Sequence, residues 1–378
     1  MNALRVLQVT TDDDRRGAQV FAVDLHCGLE AHGLDVRTVA LAPGRVGGLD
    51  LEVLGRGRRD PRILRALRAA ISTVDVVVGH GSTTLPACAL AGIATGVPFV
   101  YRQISDSLFW ADTVARRVRV RAALTRATRV VALWDGAART LVRHFGVARD
   151  GIDRIPNAVP RDRFPFAGHD GRVKARRALG IDEGTPVIAY VGALVEEKGV
   201  DMAVDLAVAR PDLTLLVAGD GRERAALRRR AASGGDRVRF LGNLSDPRPV
   251  YAAADVVVLP SRGGDSMPAT LIEAGLTGRA AVATAVAAIP EMVVDGRTGT
   301  VVVPGDGAAF SAAVGRLLDD ADLRRSFELE AREHCVRTYA IDAVAASWVT
   351  SLQDAVDATR PSGTRIKHGE RRQKVAAP

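Results

Sequence analysis

Short β-branched, apolar runs alternate along this chain with longer stretches whose apolar positions recur at helical spacing. In the first 150 residues the strand-like runs are Arg5–Val9, Asp35–Leu41, Val74–Val78, Pro98–Tyr101 and Arg129–Leu133. Helical stretches such as Ala18–His32, Arg62–Ser72 and Ala137–Phe145 stand next to them. This βαβα rhythm predicts a parallel sheet with helices on both faces. It stops at Ile155-Pro156-Asn157-Ala158-Val159-Pro160 and Phe164-Pro165-Phe166-Ala167-Gly168, a Pro- and Gly-rich segment that reads as a linker. A second rhythm follows Lys174–Leu179. Its strands are Val187–Val191, Leu213–Ala218, Val238–Leu241, Val256–Leu259, Ala281–Ala283 and Thr300–Val303. Its helices include Asp201–Ala209, Arg222–Ala232, Pro268–Leu276 and Ala308–Leu318.

The pattern therefore predicts two α/β domains, over 1–165 and 170–340. A helix over 341–358 is expected to pack back toward the first, and 359–378 reads as a basic disordered tail. A length of 378 residues suits two domains. In open α/β sheets ligands sit beyond the carboxyl ends of the strands. Two such sheets facing across a cleft suit a two-substrate enzyme that closes on its ligands.

Composition narrows the class. The chain is 47% hydrophobic and 25% charged, which excludes wholesale disorder and collagen-like repeats. Its net charge is +8, but residues 360–378 alone hold six Lys or Arg against Glu370. The excess describes a tail more than a nucleic-acid-binding body, and no nucleic-acid partner is expected. Cys27, Cys88 and Cys335 are odd in number and far apart, so neither a disulfide framework nor a structural zinc site is expected. Leu4–Val9 reads as a strand rather than a signal peptide. The longest near-apolar run, Ala87–Tyr101, falls short of the roughly 20 residues that span a bilayer. A cytoplasmic protein is expected, with peripheral contact at the inner membrane face left open.

The candidate chemistry gathers in the second domain. Val187–Val191 leads into Gly192-Ala193-Leu194-Val195-Glu196-Glu197-Lys198-Gly199 and a helix. A strand, Gly-rich turn and helix offer backbone N–H groups to an anion. Lys198 adds a mobile charge for a phosphate, or is a surface lysine in a tight turn. Gly219-Asp220-Gly221 ends another strand, where glycine lets a ligand approach the backbone. After Pro260-Ser261 comes Arg262-Gly263-Gly264-Asp265-Ser266-Met267-Pro268, with Glu273 one to two turns inside the next helix. Asp265 and Glu273, eight positions apart, can address two ends of one ligand. A carboxylate accepting from vicinal hydroxyls suits a sugar or ribose.

Taken together, these segments resemble retaining family-4 glycosyltransferases of the two-Rossmann GT-B type. The resemblance also rests on Val238-Arg239-Phe240-Leu241-Gly242, Ile289-Pro290-Glu291, and Asp295-Gly296 with Thr298-Gly299. In the first domain it rests on Gly17-Ala18 and on Ile155-Pro156-Asn157-Ala158-Val159. It covers about residues 4–345 and implies two Rossmann-like domains facing across a cleft, the first binding the acceptor. A UDP-sugar or GDP-sugar would be the donor, with no cofactor and no metal.

By the same resemblance, Lys198 would neutralise the donor diphosphate and Glu273 would hold the ribose hydroxyls. Asp265 would hold donor-sugar hydroxyls, with the amides of Ser266 and Met267 supporting the sugar or phosphate. Gly192 and Gly219 would admit the donor, and Gly17 and Ala18 would form the acceptor-side loop. Three departures stand out. Ala193 replaces the family's arginine, for which Arg262 or Arg222 is the candidate substitute. Ala287-Ala288 replaces Gly-Gly. The family's first-domain His is absent from Tyr101-Arg102-Gln103-Ile104-Ser105-Asp106. Arg102 and Asp106 are candidates for that place, as is His80, expected to point toward the cleft.

Two clusters remain. Asp12-Asp13-Asp14 reads as a solvated acidic loop bordering the cleft rather than a metal site. Arg116, Arg117, Arg119, Arg121, Arg126 and Arg129 form a basic stretch, either a solvated helix face or a holder of anionic lipid or an anionic acceptor. The expected activity is sugar transfer to a sugar, lipid-linked or small-molecule acceptor. The rivals are an epimerase or hydrolase on the same fold, and an inactive family member acting as a partner or scaffold. A nicotinamide oxidoreductase is disfavoured, because Asp14–Ala18 lacks G-x-G-x-x-G.

Overall fold

The computed structural model describes residues 3–58, 60–105, 108 and 111–359. The N-terminal sheet holds β1 (Arg5–Thr10), β2 (Asp35–Ala40), β3 (Glu52–Val53), β4 (Val76–His80), β5 (Phe99–Gln103), β6 (Arg129–Ala132) and β7 (Ile152–Arg154). They lie in the order β3-β2-β1-β4-β5-β6-β7, all parallel. The C-terminal sheet holds β8 (Val187–Val191), β9 (Thr214–Ala218), β10 (Val238–Gly242), β11 (Val256–Leu259), β12 (Ala280–Thr284) and β13 (Gly299–Val302). Its order, β10-β9-β8-β11-β12-β13, repeats the first, also parallel throughout. In each sheet the order reverses beside the first strand. There the crossovers leave opposite faces and open a crevice at the strands' carboxyl ends.

The central strands are buried on both faces, which is why they read as continuous apolar runs rather than alternating ones. The N-terminal sheet divides its side chains between two layers. Leu7, Val9, Val77 and Tyr101 face one. Val6, Val76, Val78 and Val100 face the other, formed by helices Gly17–Ala31 and Ile341–Thr359. The last helix thus covers the N-terminal sheet, with Trp348, Leu352 and Ala355 fully buried there. The chain crosses between the domains twice, and the crossings are bonded to each other. Val159 N–H donates to the Tyr339 carbonyl at 3.0 Å, and Ile341 N–H donates to the Val159 carbonyl at 3.1 Å. The expected tail, residues 360–378, lies outside the described residues.

Candidate active site

The carboxyl ends of β8, β9 and β10 interlock through their glycines. Gly192 N–H donates to the Ala218 carbonyl at 2.9 Å, and Gly219 N–H to the Gly242 carbonyl at 2.7 Å. Gly219 has φ +135°, and a Cβ there would overlap the carbonyl oxygen of Gly192. Only glycine combines that conformation with that approach.

Beyond Gly192 a short turn, Glu196–Lys198, ends at Gly199 and the helix Val200–Ala209 begins. Lys198 Nζ donates to one oxygen of Asp265, and Ser261 Oγ donates to the other. The structure therefore joins the two residues assigned to the diphosphate and the sugar. Asp265 is nearly enclosed and Lys198 is one-fifth exposed. The neighbouring arginines are also engaged by acids. Arg262 makes two 2.7 Å bonds to Asp201, Arg222 meets Glu197 at 3.1 Å, and Arg224 meets Asp220 at 2.7 Å. Arg262 and Arg222, the expected substitutes for an arginine at 193, are thus already partnered.

Glu273 sits on the helix Ala269–Thr277, whose Thr270 hydroxyl donates to the Val191 carbonyl at 3.0 Å and ties the helix start to the end of β8. Tyr251, wholly buried, donates its hydroxyl to Glu273 Oε2 at 2.6 Å. Burial raises the Glu273 pKa, and the Tyr251 hydroxyl and the nearby Arg163 oppose the rise. Arg163, in the linker, itself bonds Asp24 of the N-terminal domain at 2.9 Å. Ala287 keeps a left-handed backbone, φ +47°, without being glycine, and Ala288 N–H donates to the Ser266 carbonyl at 3.1 Å.

The N-terminal side corrects one expectation. His80 does not open onto the cleft. Val76, Val78 and His80 alternate onto the face covered by Ile341–Thr359, so His80 packs beside Phe21 and Trp348. Its Nε2 meets Gln8 Oε1 at 2.9 Å, and burial holds its pKa well below the usual histidine value. Arg102 shares that layer, 1% exposed, its guanidinium 3.7 Å from the Phe21 ring centre. Arg102 Nη2 donates to Asn157 Oδ1 at 3.1 Å, and Asn157 Nδ2 donates to the Met267 carbonyl at 3.1 Å. One chain of bonds thus runs from β5 through the linker to the loop carrying Asp265 and Ser266. Asp106 lies outside the described residues. Gly17 and Ala18 open the helix Gly17–Ala31, and a Cβ at Gly17 would touch nothing, leaving free space before the helix.

Asp12 accepts from Gln19, Arg16 and Arg58 at 2.6, 2.6 and 2.9 Å. Asp14 accepts from the N–H groups of Val46 and Gly47, and Asp13 from that of Gly44. The acids are therefore not a solvated loop: Asp12 and Asp14 are buried, and Asp13 and Asp14 fasten the loop at 44–47 while Asp12 holds side chains of the helix start and of Arg58. Within the basic stretch, Arg129 is bound to Asp153 and Arg116 to Asp112. Arg117, Arg119 and Arg121 lie on the helix Val114–Leu124, which also exposes Val114 and Val118. Among the described residues no helix is long and apolar enough to cross a membrane.

Tyr251 and the pair Asp24–Arg163 carried no sequence signal for a role here. Asn157 lay in a motif already singled out, but its partner is 110 positions away.

Two family models match this chain: Glycosyltransferase Family 4 over residues 15–163, and Glycosyl transferases group 1 over residues 185–320. Over 227 residues the chain is 36% identical to 2-deoxystreptamine glucosyltransferase of Streptomyces kanamyceticus, covering 56% of this chain and 58% of that protein. It is 34% identical over 242 residues to D-inositol 3-phosphate glycosyltransferase of Nocardia farcinica, covering 59% and 52%. The chain therefore spans only about half of the curated relatives it matches. Among solved structures, HepE of Anabaena in complex with UDP superposes with TM-score 0.81 at 17% identity, over 93% of this chain and all of that one. Sucrose-phosphate synthase from Thermosynechococcus elongatus gives 0.78 at 19%, over 94% and 100%. Two parallel sheets of like order, the glycine-locked strand ends and both family matches lead to one assignment: the chain belongs to the family-4, group 1 glycosyltransferases of GT-B fold.

Proposed function

We propose that this protein transfers a sugar from a nucleotide diphosphate sugar to an acceptor hydroxyl, with retention of anomeric configuration. One observation carries the reading: Lys198, in the turn after β8, holds Asp265, in the loop after β11, while Glu273 sits on the helix that Thr270 ties to the end of β8, with Arg163 and Asp24 near its carboxylate. The C-terminal domain, 170–340, would bind the donor. The N-terminal domain, 1–165 completed by the helix 341–358, would bind the acceptor.

Donor binding exchanges the Lys198–Asp265 pair for two new contacts. Lys198 turns to the diphosphate, and Asp265 is released to accept from sugar hydroxyls. Glu273, fixed by Tyr251 through one oxygen, offers the other to the ribose. As the bond from anomeric carbon to phosphate oxygen breaks, negative charge grows on the diphosphate. Lys198 and the N-terminal end of the helix Val200–Ala209 stabilise it there. The acceptor oxygen bonds to the anomeric carbon from the same face, and its proton passes to the departing phosphate. No metal is required in this scheme. The basic helix Val114–Leu124, with its exposed valines, would hold the enzyme to an anionic membrane surface when the acceptor is lipid-linked.

A thermal-shift panel of nucleoside diphosphates and nucleotide sugars, with and without chelator, tests the donor site. Saturable stabilisation by one diphosphate class, unaffected by chelator, is expected. Absence of any shift at millimolar ligand would overturn the donor site. Consumption of the donor at equal rate without an acceptor would replace transfer by epimerisation or hydrolysis.

A further inference from the structure

Arg102 stands apart from the other deeply buried arginines among the described residues. Its guanidinium is 1% exposed, lies over Phe21, and has one hydrogen bond, from Nη2 to the neutral amide of Asn157. Its Nε and Nη1 are buried without a partner. Among the described residues, the other arginines buried as deeply answer to carboxylates: Arg176 to Asp255, and Arg279 to Glu328. Arg102 has none. Burial pushes its pKa down to about 9. His80 beside it presents Nδ1, also buried and unpartnered. A buried cation of this kind is costly unless an anion completes it.

The donor side shows where an anion lacks countercharge. Lys198 is balanced by Asp265, Arg262 by Asp201, Arg222 by Glu197 and Arg224 by Asp220. A diphosphate arriving there meets cations already neutralised. Arg102 stands two hydrogen bonds from that loop, through Asn157 to Met267, two residues beyond Asp265.

We infer that Arg102 is a leaving-group cation, contributed by the N-terminal domain to the diphosphate of the bound donor. This rests on the donor reading above and deepens it. Nε and Nη1 are closed from solvent in this conformation, so contact follows a shift of β5 against the 261–268 loop, with Asn157 as the joint. Relative movement of two domains around a ligand is the ordinary route to such a contact. An anion then neutralises a charge that the free protein carries at a cost.

The experiment uses the full chain and three variants: Arg102→Met, Arg102→Lys and Asp106→Asn. Each is melted alone and titrated with UDP, GDP, pyrophosphate and orthophosphate. The free Arg102→Met protein is expected to melt no lower than wild type, because an unpaired buried charge is gone. Its diphosphate Kd should rise at least tenfold, with Arg102→Lys between, and kcat should fall further than the donor KM rises. Diphosphate bound equally by wild type and Arg102→Met overturns the inference while leaving the donor reading intact. Failure of wild type to bind any diphosphate overturns both. An equal loss of melting temperature in Arg102→Met and Asp106→Asn would make Arg102 half of an internal ion pair and overturn it. Orthophosphate matching the diphosphates, with the effect lost in Arg102→Met, would assign a lone phosphate and overturn the diphosphate.

Discussion

Tyr251→Phe removes one oxygen and little else, which makes it the sharpest probe of Glu273. The ring packs edge-on against Phe164 at 5.9 Å between centroids, a contact phenylalanine keeps. Lost is the 2.6 Å bond to a carboxylate from a hydroxyl that water does not reach. Hydrogen bonds to charged groups contribute about 1.5–3 kcal/mol, so the expected loss is of that order. Its pH dependence follows from direction. Burial raises the Glu273 pKa and Tyr251 holds it down, so without the hydroxyl it rises further. A raised carboxyl pKa means that the ionised form is disfavoured in the folded state. The variant's deficit is therefore largest well above that pKa and shrinks as pH falls and the carboxyl takes a proton. Denaturant melts across pH 5–8, with kcat/KM for the donor over the same range, read both effects. The donor KM should rise roughly tenfold or more at neutral pH, and the acid limb of the rate profile should move to higher pH. A pH-independent stability loss with an unchanged donor KM would refute the reasoning.

Other perturbations test the remaining parts. Lys198→Ala and Glu273→Ala should each remove most turnover while leaving a cooperative melt; near-wild-type rates in either would remove that residue from the site. Ala287→Gly relieves a left-handed non-glycine backbone that costs roughly 1 kcal/mol, and should raise the melting temperature unless the loop depends on the methyl. Arg163→Met leaves Asp24, whose pKa burial already raises, without the cation that opposes the rise. With Arg163 over a third exposed, the loss at neutral pH should be on the order of 2 kcal/mol. It should diminish as pH falls through the Asp24 pKa, and a loss that grew on acidification would contradict the assignment. Activity should survive chelation, since Asp12, Asp13 and Asp14 already serve arginines and backbone N–H groups.

What the chain discloses locally and what it withholds divide along contact distance. Central strands are legible because burial on both faces leaves only apolar residues, and the segments that carry Lys198, Asp265 and Glu273 are legible because strand, loop and helix follow one another in order. The two-residue β3 and three-residue β7 lie at sheet edges and carry too few residues to show a period. The helix Thr84–Ala91 runs into the apolar stretch Ala87–Tyr101 and carries Pro86 in its first turn, which masks its helical period. His80 was misplaced for a readable reason: the strand's end points to the cleft, but side-chain parity with Val76 and Val78 sends His80 under the final helix. Tyr251 meeting Glu273, and Asn157 meeting Met267, depend on which helices and loops pack together. No local pattern encodes that.

The helix Ile341–Thr359 sets the order in which this protein can be finished. It covers Phe21, Leu25, Val76 and Val78, residues made early, yet it is translated after the entire second sheet. A nascent chain that has released its first 165 residues holds a seven-stranded sheet with one greasy flank covered only by the helix Gly17–Ala31, Trp348 being not yet synthesised. The N-terminal sheet cannot mature before its neighbour exists. For that interval it is a client for chaperones and a hazard for self-association. The half made first is the half completed last.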